Sequence, residues 1–82
     1  MSAVRDVVDV LARALTDQPD QVQVRESEIK GGTRVELYVA SGEIGKVIGK
    51  QGRTAAALRT LAATAGEKEG KTVTLEIRDG RM

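Results

Sequence analysis

Apolar residues recur along the chain with two different periods, and each period predicts one kind of element. In the opening segment they form a stripe spaced for one face of an amphipathic helix, at Val4, Val7, Val8, Leu11 and Leu15. Ser2 stands where an N-cap is needed. Gln18 ends the helix, because the residue before a proline, here Pro19, is pushed out of the helical region. We therefore predict a first helix over residues 3–16.

Three other segments alternate between apolar and polar positions, which is the period of a half-buried strand. They cover residues 21–30, 33–40 and 71–78. The alternation weakens late in the first segment, which is therefore predicted to be an edge strand, and Gly31-Gly32 predicts a tight hairpin turn after it. In the second strand Val35 and Leu37 share one face, so Tyr38 is expected to point away from the helices. Residues 79–82 are predicted to form a frayed tail.

The helical period returns between the second and third strands. A short helix is predicted from Ser41 or Gly42 to Ile48, and a longer one from about Arg53 to Ala65 with Gly66 as its C-cap. Ala55, Leu58, Leu61, Ala62 and Ala65 form the stripe of the longer helix that should face the sheet. The order α-β-β-α-α-β predicts a single α+β domain over residues 1–82. We expect a two-layer sandwich with a three-stranded sheet and three helices on one face.

Two glycines three residues apart, Gly49 and Gly52, separate these two helices. Glycine lets a ligand backbone come close to the protein backbone. The unpaired amides and positive end of the second helix favour an anion such as phosphate. Lys50 and Arg53 add positive charge, with Lys46 one turn earlier. If each of these three cations neutralises one phosphate, the logarithm of affinity for a single strand should fall with the logarithm of salt at a slope near ~−2.

The charge distribution and the composition reduce the number of possible functions. The formal net charge is +1, but residues 44–66 carry four basic and no acidic side chains, whereas residues 1–40 carry five basic and seven acidic ones. The chain has no Cys and no His, so we expect no thiolate metal site, no cofactor and no enzymatic activity. No apolar run approaches the ~20 residues of a membrane span, and no signal-peptide pattern opens the chain, so a cytoplasmic protein is expected.

The run from Gly45 to Thr54 contains the I-G-x-x-G signature of KH domains at Ile48-Gly49-Lys50-Gln51-Gly52. With the order of elements it resembles the type II KH fold of the small stand-alone bacterial KhpA family. That resemblance implies a single-stranded RNA-binding protein, a post-transcriptional regulator or RNA chaperone linked to cell elongation and division. It also implies a homodimer, or pairing with a larger KhpB-like KH protein. The residues expected to contact RNA are Gly45, Lys46, Ile48, Gly49, Lys50, Gln51, Gly52, Arg53 and Thr54.

Two functions other than RNA binding are compatible with parts of the motif. A nucleotide-hydrolysing P-loop is disfavoured, because Gly45 and Gly49 are one residue too close and Gln51 replaces the magnesium-binding Ser or Thr. A KH-fold interaction module with little RNA binding of its own stays open. The small uncharged residues Ala56, Thr60, Ala63 and Thr64 on the longer helix are the expected contact surface of such a module. Leu61, at the edge of the stripe that faces the sheet, could serve either surface and is included.

Overall fold

The computed structural model describes residues 2–80 as one layer of helices on a three-stranded sheet. The helices are α1 (Ala3–Leu15), α2 (Ile44–Ile48) and α3 (Arg53–Lys68), and the strands are β1 (Gln23–Ile29), β2 (Gly32–Val39) and β3 (Val73–Asp79). β2 is central, antiparallel to β1 and parallel to β3. The predicted α-β-β-α-α-β architecture is confirmed. No helix within residues 2–80 is long and apolar enough to cross a bilayer.

The core between the layers is aliphatic and centres on β2. Val35, Leu37 and Val39 are fully buried on the helix-facing side of this strand. α1 packs against them through Val4, Val8 and Ala12, and Ser2 accepts a hydrogen bond from the N–H of Arg5 as its N-cap. Leu15, predicted for the same stripe, is 36% exposed instead, because α1 ends at this residue.

The opposite face of the sheet carries a polar network around the one aromatic residue. Tyr38 alternates with Leu37 and Val39 and so points away from the helices, as predicted. Its hydroxyl donates to Glu36 Oε2 at 3.1 Å, and Arg78 Nε donates to the same oxygen at 3.0 Å. Tyr38 and Glu36 are both buried by these neighbours, so this ring is not available as a stacking platform.

The end of α3 differs from the prediction. Gly66 lies inside α3, which continues to Lys68. A Cβ on Gly66 would lie 2.5 Å from Val73 Cγ2 on β3. The capping glycine is Gly70, with φ 71°: its N–H donates to Glu67 O at 3.1 Å, and the N–H of Lys71 donates to Gly66 O at 2.8 Å. These two bonds form a Schellman motif. Gly66 is therefore required for close helix–strand packing, and helix termination was assigned to the wrong glycine.

The start of the first strand and the end of the third also differ from the prediction. β1 starts at Gln23, because Pro19–Gln21 forms a 3₁₀ turn. Asp79 belongs to β3 and pairs with Val39, and the N–H of Gly80 donates to Val39 O at 2.8 Å. The prediction of a frayed tail is therefore wrong for Asp79 and Gly80. Its remainder, residues 81–82, lies outside the described residues.

Candidate nucleic-acid interface

The segment that carries the glycine pair begins with α2, a helix of only five residues. Val47 is its anchor, fully buried in the core, with Ile44 packed beside it. The helix ends where the N–H of Gly49 donates to Gly45 O at 2.9 Å. Gly49 then takes φ 75° and ψ 173°, a backbone conformation that is essentially restricted to glycine. The first glycine of the pair is therefore required for the chain to leave α2.

The residues between the glycines form a tight left-handed turn into α3. Gln51 and Gly52 both have positive φ, at 57° and 72°. The N–H of Gly52 donates to Gly49 O at 3.1 Å, and the N–H of Arg53 donates to Lys50 O. The prediction that the opening amides of this helix lack internal partners is therefore wrong for these two. The cationic side chains and the positive end of α3 remain to attract an anion.

Most of the sequence-predicted RNA-contacting residues come together on one surface around this turn. Lys50, Gln51 and Arg53 are exposed, as is Gly45 on α2. Ile48, Gly49, Gly52 and Thr54 are half-buried behind them. Thr54 packs directly on the first glycine, since a Cβ on Gly49 would lie 2.2 Å from Thr54 Oγ1. Beyond its chain neighbours and the backbone of α2, a Cβ on Gly45 would meet no atom of residues 2–80 within 4 Å, so packing does not require that glycine.

Lys46 is the exception, because its ammonium group is already held by two carboxylates. Its Nζ donates to Glu43 Oε2 at 3.0 Å and also to Asp17 Oδ2. Hydrogen bonds to Asp17 and then Glu43 raise the pKa of Lys46, so the group stays charged. The structure thus turns one of the three predicted phosphate-binding cations back towards α1.

Glu43, directly before α2, is not among the residues predicted from the sequence to form the site. It is only 8% exposed, and its Oε1 accepts from the Thr16 hydroxyl at 2.6 Å and from the Asp17 N–H at 2.7 Å. These two bonds, and then the one from Lys46, hold its pKa at about 2. Glu43 lies 27 residues from Thr16, and no local pattern marks the pair. Only the fold brings them together.

The depressed pKa of Glu43 predicts how acid affects stability. The carboxyl group titrates near its ordinary value of 4.5 when the chain is unfolded but at about 2 in the folded protein. Between these values the unfolded state binds more protons than the folded state. The stabilisation that ionised Glu43 contributes is therefore present above pH 4.5 and is lost as pH falls towards 2. Glu26 and Glu36, whose pKa values are also lowered, act in the same direction. We expect urea unfolding at a series of pH values to show this decline, and Glu43→Gln to flatten it. Identical profiles for the two proteins would contradict the assignment.

The predicted contact surface of α3 lies on the outside of the molecule. Ala56, Thr60 and Thr64 are exposed and Ala63 is half-buried. Leu61, at the edge of the stripe that should face the sheet, is 47% exposed and so lies on the outer surface. It borders shallow apolar grooves between α3 and α1, whose other walls include Val7, Val10 and Leu11.

Comparison with known proteins decides the family. The family model described as "KhpA/KhpB, KH domain" matches residues 5–77. The chain belongs to the KhpA/KhpB family of KH domains. The RNA-binding protein KhpA of Aquifex aeolicus is 51% identical over 77 residues, covering 94% of this chain and 98% of that protein. The RNA-binding protein KhpA of Chlamydia trachomatis is 36% identical over 77 residues, covering 94% and 99%. Relatives of this KhpA/KhpB domain are thus named as RNA-binding proteins and not as enzymes.

A solved structure supports the fold. A crystal structure of Aquifex aeolicus Era bound to GDP and AlF4⁻ superposes with a TM-score of 0.63 at 21% identity. The match covers 96% of this chain and 30% of that one. The type II KH fold of this KhpA/KhpB domain is confirmed.

Proposed function

We propose that this KhpA/KhpB domain binds single-stranded RNA by holding the sugar-phosphate backbone against the turn Gly49–Gly52. The observation that supports the proposal most is the exposure of Lys50 and Arg53 on a glycine-bounded turn at the positive end of α3, which is 16 residues long. Its relatives' names as RNA-binding proteins agree with this role.

The proposed contacts divide by chemistry. Lys50 and Arg53 neutralise phosphates, and Gln51 donates from its amide. The backbones of Gly45, Gly49 and Gly52 allow close approach of the strand, and the side chains of Ile48 and Thr54 line the base-facing side. Tyr38 is the only aromatic residue, and it is buried on the far face of the sheet. Bases would therefore rest on aliphatic side chains, which gives modest affinity and weak sequence preference.

Salt dependence tests this proposal directly. Because Lys46 is held by two carboxylates, Lys50 and Arg53 are the free cations that remain at the turn within residues 2–80. At ~0.7 per contact, the logarithm of affinity should fall with the logarithm of salt at a slope of about −1.4, shallower than the three-cation expectation. Fluorescence anisotropy with a labelled single-stranded oligonucleotide measures the slope, and a duplex of the same sequence is the specificity control. A slope near zero, or equal affinity for the duplex, would reject the proposed mode.

In the cell, we propose that this binding serves post-transcriptional control or RNA chaperoning in the cytoplasm, with an effect on cell elongation and division. Support comes from the family resemblance and from the weak sequence preference expected of an aliphatic groove, which suits many transcripts. Crosslinking and sequencing of bound RNA in growing cells tests this role. Recovery of no RNA above the background of a turn variant would contradict it.

A second proposed activity is self-association through α3, or pairing of the same surface with a larger KhpB-like KH protein. The hydroxyl of Thr60 donates to Ala56 O at 3.1 Å, and that of Thr64 donates to Thr60 O at 2.9 Å. Both hydroxyl donors are therefore satisfied within the helix, and a partner could cover them without an unsatisfied donor. The exposed side chain of Leu61 supplies apolar area beside them.

We expect charge on this surface to yield a folded monomer. Thr60→Lys or Ala63→Lys would place like charges together across a twofold contact, because equivalent helices meet there. Thr74→Lys, on the opposite face of the sheet, is the control and should leave self-association intact. Sedimentation velocity measures the outcome. An unmodified protein that is already monomeric at high micromolar concentration would remove this activity.

A further inference from the structure

Four side chains behind the glycine turn join the end of α1 to the start of α2. We call Thr16, Asp17, Glu43 and Lys46 the carboxylate cluster. Both oxygens of Glu43 are occupied, Oε1 by the Thr16 hydroxyl and the Asp17 N–H, and Oε2 by Lys46 at 3.0 Å. Thr16 and Glu43 are buried, whereas the side chain of Asp17 is 78% exposed. The cluster is thus a built contact between two helices rather than a chance surface ion pair.

α2 depends on such contacts for its position. A helix of five residues is far below the ~12 residues at which an isolated helix becomes marginally stable. Val47 fixes the middle of α2 in the core. Glu43 fixes the start of α2. Its side chain does not cap this helix but accepts a hydrogen bond from Thr16 at the end of α1. Because the N–H of Gly49 bonds to Gly45 O, a shift of α2 is passed on to the glycine turn.

We propose that the carboxylate cluster positions the glycine turn for RNA, with Glu43 as the positioning residue and Lys46 acting through it rather than on a phosphate. This inference rests on the proposed RNA-binding function. To reach a phosphate, Lys46 would have to leave two carboxylates, one of them on the buried Glu43. Leaving the buried carboxylate of Glu43 without its cation is costly, so the ion pair between Lys46 and Glu43 persists.

A second cluster in the same molecule supplies a matched control. Glu26 accepts from the Ser2 hydroxyl and from Lys71 Nζ at 3.0 Å, and the pKa of its carboxyl group is also lowered. It joins the start of α1 to β1 and to the residues before β3. Since α1 spans 13 residues, this cluster lies about 20 Å from the first along the helix. The bonds of Glu26 to a hydroxyl and to a lysine resemble those of Glu43, but neither of them reaches α2.

Comparing Glu43→Gln with Glu26→Gln separates an effect on the position of the glycine turn from an effect on the stability of the fold. Loss of one charge-assisted bond corresponds to about a tenfold effect. We expect Glu43→Gln to speed amide hydrogen exchange at Gly49 in the free protein, and to weaken binding to a single-stranded oligonucleotide, by about that factor each. Glu26→Gln should lower the melting temperature and change neither quantity. Unchanged exchange at Gly49 in Glu43→Gln, or equal loss of RNA affinity in both variants, would overturn the proposal.

Lys46→Ala tests the proposal that Lys46 acts through Glu43 and not on a phosphate. If it does, RNA affinity falls but the dependence of affinity on salt keeps the same slope. A slope that is shallower by ~0.7 would show that a phosphate contact was lost, and would overturn this role. Should Glu43→Gln fail to fold, Thr16→Val, which removes the hydroxyl donor to Glu43 Oε1 at nearly constant volume, is measured in the same two assays with the same expected results. An unmodified protein that binds no RNA would refute the proposed function, while exchange at Gly49 would still decide whether the cluster positions the turn.

Discussion

Replacing Lys50 and Gln51 together by aspartate is expected to abolish RNA binding while the fold survives. The change removes one cation from the turn and puts two anions where a phosphate would lie. A charge-assisted hydrogen bond contributes ~1.5–3 kcal/mol, and each like charge at about 4 Å in water opposes binding by ~1 kcal/mol. Together they correspond to roughly a several-hundredfold to several-thousandfold loss of affinity. Anisotropy with a labelled single-stranded oligonucleotide measures the loss.

The backbone of the turn favours survival of the fold in this variant. Gln51 has φ 57°, in the left-handed region where aspartate is among the best-tolerated non-glycine residues. Both side chains are exposed, so no core contact is lost. Lys30→Asp is the charge control, because Lys30 lies in the β1–β2 turn, at the end of β2 opposite to the strand end that leads to α2. Equal loss of affinity in the control, or retained affinity in the double variant, would refute the role of the turn.

Local periodicity was sufficient to predict the order of elements and the glycine turn. The strand alternation of Val35, Leu37 and Val39 and the helical stripe through Val4 and Val8 describe faces that are buried in the structure. The turn could be predicted because its requirement is also local: the break between two helices needs a backbone conformation that glycine adopts. Contacts over a few residues determine such features, so a single sequence contains them.

What the sequence did not predict depends on contacts between distant segments. The sequence predicts a helix end at Gly66, yet the lack of a side chain there serves packing against Val73 on β3. The ion pairs of Lys46, which lies one turn before the glycines, are a second example. Glu43 is three residues away, a spacing that the sequence shows, but Asp17 is 29 residues away and no local pattern reveals that partner. A cluster of cations in sequence is therefore not a cluster of free cations in the fold.

Removing the backbone freedom of the first turn glycine should have the largest effect on stability. In Gly49→Ala the new Cβ would lie 2.2 Å from Thr54 Oγ1 and 2.7 Å from Thr54 Cβ, at a residue with φ 75° and ψ 173°. Backbone strain in this region costs ~1–3 kcal/mol, and overpacking adds ~1–3 kcal/mol. For a domain of this size the melting temperature should fall by roughly 10 °C or more. RNA affinity should be lost with it, because the chain could no longer leave α2 in the same direction.

Gly45→Ala is the matched control, since it makes the same chemical change four residues earlier. Gly45 lies in α2, where an added Cβ meets no atom within 4 Å. Alanine is favoured over glycine in a helix by ~1 kcal/mol, so this variant should be as stable as the unmodified protein or more stable. Thermal unfolding followed by circular dichroism compares the two. If both alanines lowered the melting temperature equally, the first turn glycine would have no special conformational role. If Gly45→Ala kept its stability but lost RNA affinity, the exposed backbone of α2 would be part of the RNA-contacting surface.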